Sequence, residues 1–364
     1  MNIKTNKIVH IITGLKSGGA EKNLFNIVIN DKSFEHIVIS LTKNGFYENI
    51  LKKQNIETHI FNFKSPILII PNIFLLLWVL LIKKPIIVQT WMFHADIIGA
   101  LFGKLLFKKV IWNIRHSNFE NVKFKYTLLL QIHKFLSFMP NKIICCANSI
   151  KKTYIQRGYN KRKLRVIFNG VNTYKIRDLK KIKHNKNKIT IGFVGRWSNQ
   201  KNFLFLFKII HYIKNCKNKN DITFLLIGEN LNHQNKDLMK LVNRFNAFSQ
   251  IKIFKKTSNI ENFYSKCDFT FNCSFYGEGF PNVLAESLAC NKPCFAFNSG
   301  DAKLIVNKYG FIYNTRNYKT VSNLLLNFIE DFNKYRNLNS RKYIIKNFSI
   351  QNMLYNYNLI WNEQ

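Results

Sequence analysis

The sequence predicts an α/β fold built as two successive parallel-sheet domains, and three observations predict it. Short apolar runs alternate with longer amphipathic stretches. The same strand–glycine opening occurs twice, at Ile8–Thr13 before Gly14 and at Ile189–Val194 before Gly195. A polar, charged run, Asp178–Lys188, lies between the two series. The 364 residues suffice for two domains of about 150–200 residues each.

In the first series the strand-like runs are Ile8–Thr13, His36–Thr42, Ile86–Gln89, Val110–Ile114 and Lys142–Cys146, and a further strand ends in the Asn-Gly turn of Val166–Asn172. In the second they are Ile189–Val194, Thr223–Ile227, Ile251–Phe254, Phe269–Phe271 and Pro293–Phe297. Strands that alternate with helices pair in parallel and are covered on both faces. Ile350, Met353, Tyr357 and Trp361 recur at spacings of three and four, which predicts a terminal amphipathic helix packing back across the domain interface. The expected divisions are 1–174, 175–345 and a crossover helix in 346–364.

Hydrophobic residues make up 47%, so the chain should fold. The seven cysteines show no C-x-x-C or disulfide spacing and read as small buried hydrophobes in a reducing cytosol. Met1–Lys7 is polar and has no apolar core of a secretory signal. The net charge of +37, from 56 Lys+Arg against 19 Asp+Glu, would attract nucleic acid, anionic headgroups or diphosphates. Lys, Asn and Ile are enriched together throughout, so composition alone explains much of that charge. Pro66–Ile82 is uncharged but short for a bilayer span of roughly 20 residues. With Pro71 and Asn72 inside it, the segment predicts a helix over Ile73–Ile82 lying on a sheet, with an interfacial or spanning role as the rival reading.

Three constellations could carry chemistry. Gly14, Gly18 and Gly19 lie between a strand and a helix, where backbone and helix dipole can meet an anion; such a turn serves structure equally often. Arg196 and Lys201 follow the opening strand of the second series, where a fork and a point charge suit a diphosphate, or merely solvate a loop. In Gly277–Phe297, Glu278 and Glu286 are separated by seven residues. Pro281 suits the first helical position, and the N–H groups near Asn282, Val283 and Leu284 could bind an anion. Glu286, a turn inside, could accept hydrogen bonds from a ribose diol.

The segments "SGGAE", "NGVN", "FVGRWSNQKN" and "GEGFPNVLAESLACNKP", in this order from residue 17, resemble glycosyltransferase family 4. "VQTWMFHADIIGA", "WNIRHS" and "YSKCDFTFNCS" resemble it too. The resemblance spans Ile8–Trp361. It implies the GT-B fold, two Rossmann-like domains facing each other across a cleft, and a retaining transferase without cofactor or metal. By the same resemblance, Gly18 and Gly19 approach the donor diphosphate, which Arg196 and Lys201 neutralise, and Glu286 holds the ribose. Glu278 and the backbone at Gly279 and Phe280 meet the donor sugar, with Asn282 and Val283 at the helix end, and His94 stands in the cleft. Lys255 and Asn259 replace the Gly and Asp that relatives carry near the base, which leaves the nucleotide open. Asn291 replaces a glycine, and Asn tolerates the left-handed backbone of a helix end.

No D-x-D pair is present among the eight aspartates to hold Mg²⁺ on a diphosphate. The resemblance implies a nucleotide-sugar donor, UDP-linked, and a glycan or lipid-linked acceptor as partners, and the excess lysine adds an anionic membrane surface at the cytoplasmic face. A nucleotide-sugar epimerase is the rival within enzymology. A nucleic-acid binder is the rival from the charge, and the diffuse lysines argue against it.

Overall fold

The computed structural model describes residues 6–115, 124–173, 188–217, 221–255, 257 and 259–363. His116 and Ser117 of "WNIRHS", residues 178–187 of the charged run, and Lys256 and Ser258 lie outside the described residues. The chain divides into two compact units, 1–170 with 350–364, and 171–349.

The first unit is a seven-stranded parallel sheet. Its strands are β1 (Lys7–Ile12), β2 (Glu35–Ser40), β3 (Glu57–Ile60), β4 (Ile87–Trp91), β5 (Lys109–Ile114), β6 (Lys142–Cys145) and β7 (Leu164–Val166), in the order 3-2-1-4-5-6-7. The helices are α1 (Gly19–Asn30), α2 (Phe46–Lys53), α3 (Ile69–Lys83), α4 (Phe93–Leu105), α5 (Phe124–Phe135) and α6 (Asn148–Gln156). Alternating strand residues divide the core. Ile8, Ile12, Val38 and Ile111 face α1 and the chain's last helix, whereas Val9, Ile11, Ile37, Ile39 and Val88 face α3 and α4. That is the double winding which the strand–helix alternation predicts.

The second unit repeats the plan with β8 (Ile189–Val194), β9 (Ile222–Ile227), β10 (Ile251–Phe254), β11 (Phe269–Asn272), β12 (Cys294–Phe297) and β13 (Gly310–Tyr313), in the order 10-9-8-11-12-13. Its helices are α7 (Phe203–Lys217), α8 (Lys236–Arg244), α9 (Glu261–Tyr264), α10 (Asn282–Ala289), α11 (Ala302–Val306), α12 (Tyr318–Glu330), α13 (Phe332–Arg336) and α14 (Ser340–Phe348). One side of its core is dense in phenylalanine: Phe193, Phe207, Phe269, Phe271, Phe295 and Phe328 are buried, several in tilted or edge-on pairs 5.0–6.4 Å apart. The last helix, α15 (Ile350–Asn362), packs in the first unit, with Ile350, Met353, Tyr357 and Trp361 buried as their spacing predicts.

Several expectations need correction. The half-buried strands β3 and β13 were not visible as apolar runs, since "ETHI" and "GFIY" are short and mixed. Helix α3 begins at Ile69 rather than Ile73. Pro71 falls in its first turn, where a missing N–H costs no helical bond. Pro281 is the residue capping α10 rather than its first helical position. Phe348 ends α14, and extended Ser349 separates it from α15.

Among the described non-glycine residues with positive φ, seven of ten are asparagines, including Asn291 at φ 55°. Asn takes the left-handed turns that glycine fills elsewhere. Asn291 also accepts from the backbone N–H of Arg341 at 2.9 Å, so the helix end survives the loss of the family's glycine. The six cysteines whose side chains are described are buried and unbridged. Burial raises the thiols of Cys145, Cys267, Cys273, Cys290 and Cys294, pushing that of Cys294 up to about 11.

Candidate active site

In both units the strand order reverses between the opening strand and its next neighbour, the place at whose C-terminal strand ends open parallel sheets bind ligands. The sequence-selected residues fall at these two places. In the first unit they follow β1 (Gly14, Gly18, Gly19) and β4 (His94). In the second they follow β8 (Arg196, Lys201) and β11 (Glu278 to Glu286).

In the second unit, the loops after β8 and β9 are in close contact. A Cβ on Gly228 would sit 1.9 Å from the Gly195 carbonyl, so no side chain fits there. The Gly195 N–H donates to Ile227 and the Trp197 N–H to Glu229, at 3.0 and 2.9 Å. This ties down the chain carrying Arg196, whose side chain is exposed. Lys201 lies on a short 3-10 turn, Asn199–Lys201, with its aliphatic stem over Gly195. The buried Cys273 thiol donates to the Lys201 carbonyl at 3.5 Å.

Lys201 Nζ donates to Glu278 Oε1 at 2.7 Å, the two side chains being 13% and 11% exposed. The residues assigned separately to diphosphate and sugar thus form one ion pair, 77 positions apart in sequence. No spacing could reveal it. The Glu278 loop is braced from behind by Gly300, whose φ of 57° favours glycine and whose absent Cβ would lie 2.3 Å from the Gly279 carbonyl. The Asp301 N–H then donates to that carbonyl at 2.8 Å. Phe280 is buried edge-on against Phe348, 5.4 Å between centroids, leaving only its backbone for a ligand.

Helix α10 starts at Asn282, and the positive end of its dipole opens beside this loop. Glu286, a turn inside and 8% exposed, accepts a long hydrogen bond from the Tyr264 hydroxyl, 3.4 Å to Oε2; the same hydroxyl donates to the Val283 carbonyl at 3.2 Å. Tyr264 is a site residue that the sequence reading missed. Burial, then the nearby Glu286, hold its phenol well above its ordinary pKa, so it stays a donor.

In the first unit, Gly18 has an extended φ of −148° and Gly19 is exposed at the start of α1. Neither needs glycine's backbone freedom, since Gly18 is extended and Gly19 is not among the described glycines with positive φ. His94 is exposed on the first turn of α4. Desolvation by its surroundings lowers its pKa, against the opposing pull of Asp96. Met92, which precedes this helix, has φ 73° and ψ 154°. Unlike Asn202 at φ 53° and ψ 52°, it lies outside the left-handed helical region, in a conformation costing roughly 1–3 kcal/mol. Its carbonyl accepts from the Asp96 N–H at 2.9 Å. Buried Asp96 is anchored by the Thr90 hydroxyl at 2.5 Å and by His133 at 3.1 Å, and His133 in turn meets the Tyr159 hydroxyl at 2.8 Å. Burial raises the Asp96 carboxyl, partly offset by His133. The first turn of α4 is therefore held rigidly, a feature that "WMFHAD" does not display.

Two doubly wound units, one of them presenting cations, a helix end and paired glutamates at its switch point, define a glycosyltransferase. The family models agree: "Glycosyltransferase Family 4" matches residues 29–175 and "Glycosyl transferases group 1" matches 175–345. The chain belongs to glycosyltransferase family 4 and has its two-domain GT-B fold. It is 24% identical over 292 residues to the capsular polysaccharide biosynthesis glycosyltransferase CapH of Staphylococcus aureus, covering 77% of this chain and 78% of that one. It is 24% identical over 296 residues to the uncharacterized glycosyltransferase MJ1069 of Methanocaldococcus jannaschii, covering 76% and 74%. Among solved structures it superposes on Anabaena Alr3699/HepE in complex with UDP, with a TM-score of 0.83 at 18% identity over 98% of this chain and 99% of that one. A mutant of S. aureus TarM, in complex with fondaparinux, alpha-GlcNAc-glycerol and UDP, gives 0.75 at 13% identity, over 98% and 100%.

Proposed function

We propose that this glycosyltransferase moves a hexose or N-acetylhexosamine, with retention and without a metal, from a UDP-linked donor to a glycan or lipid-linked acceptor of a surface polysaccharide. The observation that carries the reading is the second unit's switch point. There the Lys201–Glu278 pair, exposed Arg196 and the α10 N-terminus lie on the segments that follow β8 and β11, with Glu286 one turn inside the helix.

Arg196 and Lys201 neutralise the donor diphosphate, and Glu286 accepts from the ribose hydroxyls. Glu278 holds Lys201 through one carboxylate oxygen and accepts from the donor sugar through the other. The backbone at Gly279 and Phe280 borders that sugar, and Asn282 and Val283 present the helix end. Gly18 and Gly19 leave room for the diphosphate beside α1, and neutral His94 hydrogen-bonds the sugar. As the anomeric bond breaks, negative charge grows on the departing phosphate, where preorganised cations and helix dipoles stabilise it most. The acceptor hydroxyl attacks on the face the nucleotide leaves, and the departing phosphate takes its proton.

UDP and UDP-glucose bound in the similar Alr3699/HepE structures support a UDP donor, and CapH's part in capsule biosynthesis supports a polysaccharide product. The working location is the cytoplasmic side of a membrane, where nucleotide sugars are made. The test is a panel of UDP-, GDP- and ADP-sugars, read as nucleotide released with and without acceptor, followed by NMR of the product's anomeric configuration. Absence of release from every donor would refute the reading, and an inverted anomer would refute retention.

A further inference from the structure

One face of the first unit's sheet is covered by α3, α4 and α5, whose outer surface is unusually apolar. Along the α3 segment, Ile67, Ile70, Phe74, Trp78 and Leu81 recur at spacings of three and four and are exposed, Ile67 at 86% and Trp78 at 58%. The inner residues Leu76, Val79 and Leu80 pack into the core with Val9, Ile11, Ile37 and Ile39. Helix α4 adds exposed Leu101 and Leu105, followed by Phe107 at 95%. Helix α5 adds Leu128, Ile132 and Phe135, four and three apart, followed by Phe138. It lies in the same layer, because its His133 sits tilted against Trp112, 4.2 Å between centroids, and bonds Asp96 of α4. Exposed apolar side chains on three helices of one layer mark an interaction face.

The charge of this layer selects the partner. The three helices contain a single carboxylate, Asp96, and it is fully buried. Lys83, the last residue of α3, pairs with Glu57 at 2.8 Å, and Lys84 follows it. At the end of α4, Phe107 borders a cavity of about 490 Å³ lined by Lys104, Lys108, Lys109 and Lys142 against one acid, Glu363. Lys109 and Lys142 are engaged by the C-terminal residues, through the Ile360 carbonyl at 2.8 Å and the Glu363 carboxylate at 2.6 Å. Lysines that border exposed aromatic and aliphatic side chains match the junction between acyl chains and anionic headgroups.

We infer that this helix layer is a docking face for an anionic lipid bilayer, on which α3 lies in the membrane plane. Pro66–Lys83, with 18 residues and a mean hydropathy of 2.3, comes close to the length and composition of a bilayer span. Its inner stripe belongs to the sheet's core, so it enters the lipid sideways, by its outer stripe alone. The docking face rests on surface chemistry independent of the proposed donor and reaction.

The full chain is floated with phosphatidylcholine vesicles, or with vesicles containing about 30% phosphatidylglycerol, at about 50 and about 500 mM NaCl. The proposal expects flotation with the anionic vesicles at low salt, reduced at least about tenfold on neutral vesicles or at high salt. Trp78→Ser with Phe107→Ser, and separately Lys84→Glu with Lys108→Glu, should each lower it about tenfold while keeping the parental melting temperature. Failure of the parent to float under all four conditions overturns the proposal, as does equal flotation on both vesicle types. A concentration-dependent dimer that Trp78→Ser with Phe107→Ser abolishes, without vesicle binding by the parent, assigns the face to a second copy and also overturns it. Donor hydrolysis in solution is measured alongside and should be unchanged in both variants. A chain that floats but hydrolyses no donor leaves the docking face standing and removes the proposed reaction.

Discussion

Removing Lys201 should damage donor binding beyond the loss of one contact, because Glu278 stays behind. Nζ and Oε1 are 2.7 Å apart and the side chains are only 13% and 11% exposed. At an effective dielectric near 20 the gross attraction is about 6 kcal/mol, much of it offset by the cost of enclosing both charges. In Lys201→Ala the diphosphate loses a charge-assisted contact of about 1.5–3 kcal/mol and meets an uncompensated carboxylate. The dissociation constant of the preferred nucleoside diphosphate should rise about 10²-fold or more. Adding Glu278→Gln removes the negative charge but keeps a hydrogen-bonding side chain, and should recover about five- to tenfold. Titration calorimetry of both single variants, the double variant and the parent closes the cycle. Urea melts of the same four proteins should show coupling of about 1–3 kcal/mol. A Lys201→Ala protein that binds within about threefold of the parent, or a double variant no better than Lys201→Ala, would refute the proposed role of the pair.

Glu286→Ala and Arg196→Ala should each cut nucleotide release about 10²-fold in a folded protein, and either variant retaining more than about half of the activity removes that residue from the site. Activity in EDTA should stay within about twofold of the untreated enzyme, since Arg196, Lys201 and helix dipoles carry the charge stabilisation; a strict Mg²⁺ requirement for the chemical step contradicts this. Gly300→Val should destabilise the second unit and weaken donor binding, read by thermal melting and calorimetry, because its side chain would strike the Glu278 and Gly279 carbonyls at a φ of 57°. Stability should also fall on acidification below about pH 6.5. The Trp91 indole donates to His10 Nδ1 at 3.3 Å, so the His10 proton on Nε2 faces His36 Nδ1 at 2.9 Å, and His36 Nε2 faces Asp31 at 2.9 Å. Burial, then His36, lower the His10 pKa, so the unfolded chain takes the proton first and stability drops by up to about 1.4 kcal/mol per pH unit. His10→Gln should flatten that slope in urea melts between pH 7 and 5, and an unchanged slope refutes the assignment.

Much of this protein was legible in its residues. The repeated strand–glycine opening predicted two similar units, and the spacing of Ile350, Met353, Tyr357 and Trp361 predicted the last helix. These are local signals: periodicity and turn chemistry act over a few residues, where the chain's own geometry dominates. Arg196, Lys201, Glu278 and Glu286 could be selected because glycine, proline and sparse acids stand out in a chain of lysine, asparagine and isoleucine. Tertiary structure alone decided which of these residues touch. It paired Lys201 with Glu278, set the Tyr264 hydroxyl on Glu286, fixed Met92 in an unfavourable conformation before His94, and braced Gly279 with Asp301. It also left the outer stripe of α3 exposed, although residues 66–82 read as an uncharged segment lying on a sheet. Such outcomes depend on which strand ends the sheet order brings together and which helix faces it covers. A strand order of 3-2-1-4-5-6-7 joins residues scores of positions apart, and no short-range pattern encodes that.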